Sequence, residues 1–103
     1  MNTKPNQTKL RGTIREIRPQ PDGWGAEVDI EVEANVSPQA DQDFLRPKSG
    51  SVMRFFASEP DRLNVGELVQ ATARLAGGPF GERAILEAWE QVGARDSHPP
   101  DRS

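Results

Sequence analysis

The chain has 103 residues, 34% hydrophobic and 28% charged, with 13 basic residues against 16 acidic ones and a net charge of -3. That is one small domain with too little interior for a deep enclosed active site, and its charge balance excludes a histone-like basic protein or a polyacidic one. It has no cysteine and one histidine, His98, which removes thiolate chemistry, disulfides and Cys-based zinc sites and leaves a Ser-His-Asp set without a placed base.

Residues 1–7 are polar and form no apolar run, and nothing resembles a membrane span or a signal peptide, so a cytoplasmic setting is the expectation. Residues 93–103, Gly-Ala-Arg-Asp-Ser-His-Pro-Pro-Asp-Arg-Ser, offer little to bury. Both ends are expected to be disordered tails around a folded unit at residues 8–92. In residues 8–18, Leu10, Gly12 and Ile14 share one face of a strand, and Ile17 breaks the period, which predicts a bulge or bend after Ile14. Gly12 inside that strand implies strong coiling or a close backbone approach. Residues 19–25, Pro-Gln-Pro-Asp-Gly-Trp-Gly, are a turn. Residues 26–36 then alternate without a break: Ala26, Val28, Ile30, Val32, Ala34 and Val36 against Glu27, Asp29, Glu31, Glu33 and Asn35. This is a long strand with one face buried.

Residues 37–50 read as a long loop anchored by Phe44 and Leu45. Residues 51–57 are a third strand, with Arg54 and Phe56 on one face and Met53 and Phe55 on the other. Ser58 to Leu63 is a short helical turn capped by Ser58, with Pro60 early in it. Residues 67–75 are a fourth strand, Gly77-Gly78-Pro79-Phe80-Gly81 a hairpin connection, and residues 82–92 a fifth strand. A helix competes for that last segment, and both of its faces carry apolar side chains, so its inner face stays open. The order predicts an all-β, five-stranded Greek-key barrel with a short helix between strands three and four; an open β-sandwich is the alternative.

The sequence resembles the OB-fold through Leu10-Arg11-Gly12-Thr13-Ile14, the Leu63-Asn64-Val65-Gly66-Glu67-Leu68-Val69 entry to the fourth strand, and the Gly77-to-Gly81 turn. It is similar, over nearly all of residues 8–92, to OB domains of the single-strand nucleic-acid-binding and anticodon-binding kind. The resemblance implies a ligand surface on strands two and three between the first and last hairpin connections. In this chain that surface carries Trp24, Arg54, Phe56, Phe80 and Arg83, with the aromatics stacking bases and the arginines contacting phosphates. The competing reading of Trp24 and Phe80 is that they plug the barrel ends.

Charge argues the other way. Residues 19–45 hold seven acidic residues and no basic one, and residues 8–92 hold 10 basic against 14 acidic. The outward row Glu27, Asp29, Glu31 and Glu33 is expected to pair across strands with Arg11, Arg15 and Arg54. Such pairing leaves few free cations for phosphates. The row offers neither the six to eight oxygens of a calcium site nor a pocket that would shift a carboxylate toward catalysis. The function expected is a non-catalytic binding module, without metal or cofactor, for single-stranded DNA or RNA at modest affinity. The alternative is a protein-interaction or assembly module using the acidic face of strand two and the long loop.

Overall fold

The computed structural model describes residues 6–78 and 81–94. Five strands carry the chain: β1 Thr8–Pro19, β2 Ala26–Asn35, β3 Val52–Ala57, β4 Glu67–Gly78 and β5 Gly81–Ala94. They close in the order β1-β2-β3-β5-β4, with β4 returning to β1. All neighbours are antiparallel except β3 and β5, which run parallel. This is the closed five-stranded Greek-key barrel of OB type that the strand order predicts, and closure excludes the open sandwich. The expected short helix between β3 and β4 is a single 3₁₀ turn, Pro60–Arg62. Glu59, not Ser58, stands at its start, and no side chain caps it. The fixed φ of Pro60 begins the turn instead.

The strict alternation of β2 buries Ala26, Val28, Ile30 and Val32, and the matching faces of β1, β3 and β4 supply Leu10, Ile14, Phe55, Ala57, Val69, Ala71 and Ala73. β1 pairs with β2 over Leu10–Pro19 and with β4 over Thr8–Thr13, so Leu10–Thr13 have a strand on each side. Gly12 sits in that doubly paired stretch. A Cβ there would overlap the Glu31 carbonyl oxygen and lie 2.7 Å from Ile30 Cγ2. The register then slips between Ile14 and Glu16, leaving Arg15 as the extra residue. The slip turns Ile17 back toward the core, as the broken period implies.

β5 explains its own ambiguity. Its pairing with β4 slips between Thr72 and Ala73, so that Thr72 faces Ala88 and Ala73 faces Leu86. Glu87 is the extra residue, and its carboxylate takes the Arg74 Nε at 2.6 Å. Before the bulge Ala84 and Leu86 point inward; after it Trp89 does, and Ala88 is exposed. No single period-two face exists across residues 82–92.

The long loop is anchored differently from the sequence expectation. Leu45 packs against the core, but Phe44 is 49% exposed. The anchor is Asp43, 5% exposed. Thr8 Oγ1 and Asn35 Nδ2 each donate to its carboxylate at 2.7 Å, and the Arg46 backbone N–H donates at 2.8 Å. Arg46 follows at φ 48, a left-handed conformation that bends the chain back over the carboxylate. Asn6 and Gln7, assigned to the tail from sequence, are tied in as well. Gln7 donates to the Gln42 carbonyl at 2.8 Å, and the Asn6 amide bonds both ways with the Leu75 backbone. β5 likewise carries order through Ala94.

Two outcomes follow. Gly12→Ala is expected to destabilise the barrel by about 1–3 kcal/mol, measured by urea unfolding, because backbone and a packed side chain meet the added carbon. Asp43→Ala strands buried donors and is expected to cost about 1–3 kcal/mol. Burial pushes the Asp43 carboxyl up, but its hydrogen bonds from Thr8, Asn35 and the Arg46 N–H outweigh that and hold it below the ordinary value. Its contribution is therefore present above the unfolded carboxylate range near about pH 4 and disappears as pH falls through the lower folded value. In Asp43→Ala that part of the acid dependence is absent.

Candidate nucleic-acid interface

The β1–β2 connection is built to expose one aromatic. Gln20 N–H donates to the Gly25 carbonyl and Gly23 N–H to the Gln20 carbonyl, each at 3.0 Å. Trp24 N–H donates to Asp22 Oδ1 at 2.9 Å. The turn thereby satisfies its own backbone while the Trp24 side chain stays outside, 78% exposed. Trp24 is not a barrel plug. Gly25 closes the turn at φ 80, where a Cβ would lie 2.5 Å from the Ala57 carbonyl oxygen and 2.7 Å from Phe56 Cζ. The base of the turn therefore rests on the Phe56 ring, one residue from Trp24.

Phe56 points outward from β3, opposite Glu27 on β2. The Arg83 guanidinium carbon lies 4.7 Å from the ring centroid, a cation–π contact. These residues line a groove of about 270 Å³ with Arg54, Glu27, Glu82 and Ala84. It lies where β3 and the start of β5 splay apart beside their one paired position, Phe56 with Ile85. Of the five expected site residues, Arg54, Phe56 and Arg83 thus line one groove, and Gly25, the residue after the exposed Trp24, rests against the Phe56 ring. Phe80 lies outside the described residues. One role changes: Arg83 covers a face of Phe56, so the groove offers a guanidinium plane there in place of a bare ring.

The expected cross-strand ion pairs are present. Arg11 meets Glu33 at 2.7 Å and Arg15 meets Glu31 at 3.1 Å. The sequence reading missed the central cation, Arg18. It takes Asp29 through both terminal nitrogens, at 2.9 and 3.3 Å, and also reaches Glu16 at 2.8 Å and Glu27 at 3.7 Å. The bulge at Arg15 brings Arg18 opposite Glu27, one step from Asp29, a shift that strand periodicity alone does not reveal. Arg54, directly across from Asp29, adds a contact at 3.2 Å. The Arg18 hydrogen bonds hold the Asp29 carboxyl below the ordinary value against its partial burial, with help from Arg54, and the same contacts raise the Arg18 guanidinium. Arg54 is thus committed to carboxylates. Arg83 makes no ion pair among the described residues.

Because Trp24 is held out in solvent, Trp24→Ala is expected to change stability by less than about 0.5 kcal/mol in urea unfolding; a larger loss would mean that the ring packs against the barrel. Arg18→Gln is expected to raise the Asp29 carboxyl titration toward the ordinary range, read by side-chain NMR, and so to shrink the part of the acid dependence of stability that Asp29 contributes.

Comparison with protein-family models, with curated proteins and with solved structures finds no match to this chain. The reading of function rests on this geometry.

Proposed function

We propose that this chain is a non-catalytic binding module for single-stranded nucleic acid, which it takes at modest affinity by stacking. The observation that carries the reading is Trp24, 78% exposed on a self-satisfied turn whose base rests on Phe56. A rigid aromatic held in water loses little entropy when a base stacks on it. Arg83 supplies the second surface, since a guanidinium plane also stacks bases, and it is the groove cation with no carboxylate partner among the described residues. Arg54 contributes through the shape of the groove wall, its charge being taken by Asp29. Phe80, two residues beyond Gly78 on the β4–β5 connection, completes the proposed set.

Electrostatics supports weak binding of this kind. Arg11, Arg15, Arg18 and Arg54 neutralise the β2 carboxylates and are not available to a phosphate backbone. The same pairing works against the protein-interaction alternative, because the acidic row presents little uncompensated charge to a basic partner. The long loop, tied down through Asp43, is not waiting for a partner to order it.

The test is a titration of a dye-labelled mixed-sequence single-stranded oligonucleotide with the protein and with Trp24→Ala, followed by fluorescence anisotropy of the dye. Trp24→Ala is expected to weaken binding by about 1–3 kcal/mol, roughly 5- to 150-fold. The salt slope is expected to be shallow, near about 0.7 log units, as for one phosphate contact. Unchanged affinity of Trp24→Ala would overturn the site, and a slope of several phosphates would overturn stacking as the main source of affinity.

A further inference from the structure

β3 and β5 meet at one paired position, Phe56 with Ile85. On the far side of that pair from the Trp24–Arg83 groove, the two strands part for good. β3 ends at Ala57, and the chain leaves through Ser58 into the Pro60–Arg62 turn, while β5 runs on to Ala94. Over that stretch β5 is paired with β4 along one edge. Among the described residues no strand lies along its other edge, and no backbone hydrogen bond from a turn or loop reaches it. The fork holds a groove of about 440 Å³, walled by Glu59, Asp61 and Arg62 on the turn and by Leu86, Ala88 and Trp89 on β5.

An open strand edge is a template for pairing, and proteins usually blunt it with lysine or proline. Residues 86–92, Leu-Glu-Ala-Trp-Glu-Gln-Val, contain neither, and the bulges at Glu87 and Val92 leave Ala88–Gln91 as the regular part of the edge. Instead the edge is acidic. Glu59 and Asp61 make no ion pair among the described residues, and Arg62 is the one cation among the residues lining the groove. That charge decides the occupant. A second copy of this chain would bring the same acidic wall, Glu59 and Asp61, against itself. A phosphate backbone would be repelled.

We propose that the free edge of β5 beyond Ile85 takes up an extended, basic peptide segment of a partner protein as an added strand. The peptide backbone pairs with the β5 edge, its cationic side chains face Glu59 and Asp61, and one apolar side chain enters the groove against Leu86 and Trp89. This surface shares no residue with the proposed nucleic-acid site, so the two stand or fall separately.

The experiment is an NMR and amide-exchange titration of the full-length labelled protein with the capped probe peptide Lys-Val-Arg-Leu-Lys-Val-Arg. Two control peptides accompany it, one with glutamate at every basic position and one with proline at the valines. Shifts and new amide protection are expected on Leu86–Val92. Binding is expected to weaken about tenfold in the Glu59→Lys/Asp61→Lys protein, whose two changes are on the exposed turn and leave its melting temperature unchanged. It is also expected to fail with both control peptides and to persist in Trp24→Ala. Shifts centred on the β2 carboxylate row, or equal binding of the proline peptide, would overturn the proposal. So would β5-edge amides already protected without peptide: at all protein concentrations that means the chain's own residues cover the edge, and only at high concentration that a second copy does. Absence of shifts at millimolar peptide would overturn it outright.

Discussion

The close approach of β1 to its two neighbours is the constraint on which the barrel depends. A short five-stranded sheet buries its inner face only by curling until the first strand serves both β2 and β4, and Leu10–Thr13 do so. Gly12 lies where the backbones crowd, with no room for a side chain against Glu31 and Ile30. The bulge at Arg15 follows a few residues later and restores the inward face at Ile17. Without that turn of β1, Leu10 and Ile14 would not meet Val28, Ile30 and Val69 in a common core.

Closing the barrel on one side leaves a short ladder on the other. The β3–β5 seam is parallel and short, joined at Phe56 and Ile85, and it splays on both sides of that pair. Two grooves result, and their chemistry differs because different connections fill their rims. One is bordered by the Trp24 turn and balanced in charge, with Glu27 and Glu82 against Arg54 and Arg83. The other is bordered by the 3₁₀ turn and is acidic. Both proposed sites lie where the sheet does not complete its own ladder.

The outer face of the first three strands is organised by charge. Asp29 lies between Arg18 and Arg54, and Glu27 is within reach of both. Individually such exposed pairs contribute little to stability. Their effect is on what the surface presents: a row of carboxylates and four arginines becomes nearly neutral, and the groove keeps Arg83 as its unpaired cation among the described residues. The binding proposed for this groove therefore rests on shape and stacking more than on charge.

How much of this was legible depends on whether the information is local. The alternation of residues 26–36, the break at Ile17 and the glycine at position 12 each reflect a backbone constraint felt within a few residues, so they read directly as strand, bulge and close approach. Trp24, Arg54 and Phe56 were legible as surface candidates from loop position and strand parity, and Arg83 only through the resemblance to the OB-fold. Four features were not. The bulge at Glu87 mixes two inward faces in one segment, so no period describes β5. The loop anchor is the buried carboxylate of Asp43 and not the aromatic Phe44, because donors from Thr8, Asn35 and Arg46, drawn from separate parts of the chain, make burial of a charge favourable. The covering of Phe56 by Arg83 and the central place of Arg18 also required the register between strands. By itself, then, the sequence determined the strands, their order and the absence of cysteine chemistry, because patterning and composition act along the chain. Only the tertiary structure decided which charges cancel, which aromatic stays in water and which strand edge is left open, because these depend on register and closure, which bring distant residues together.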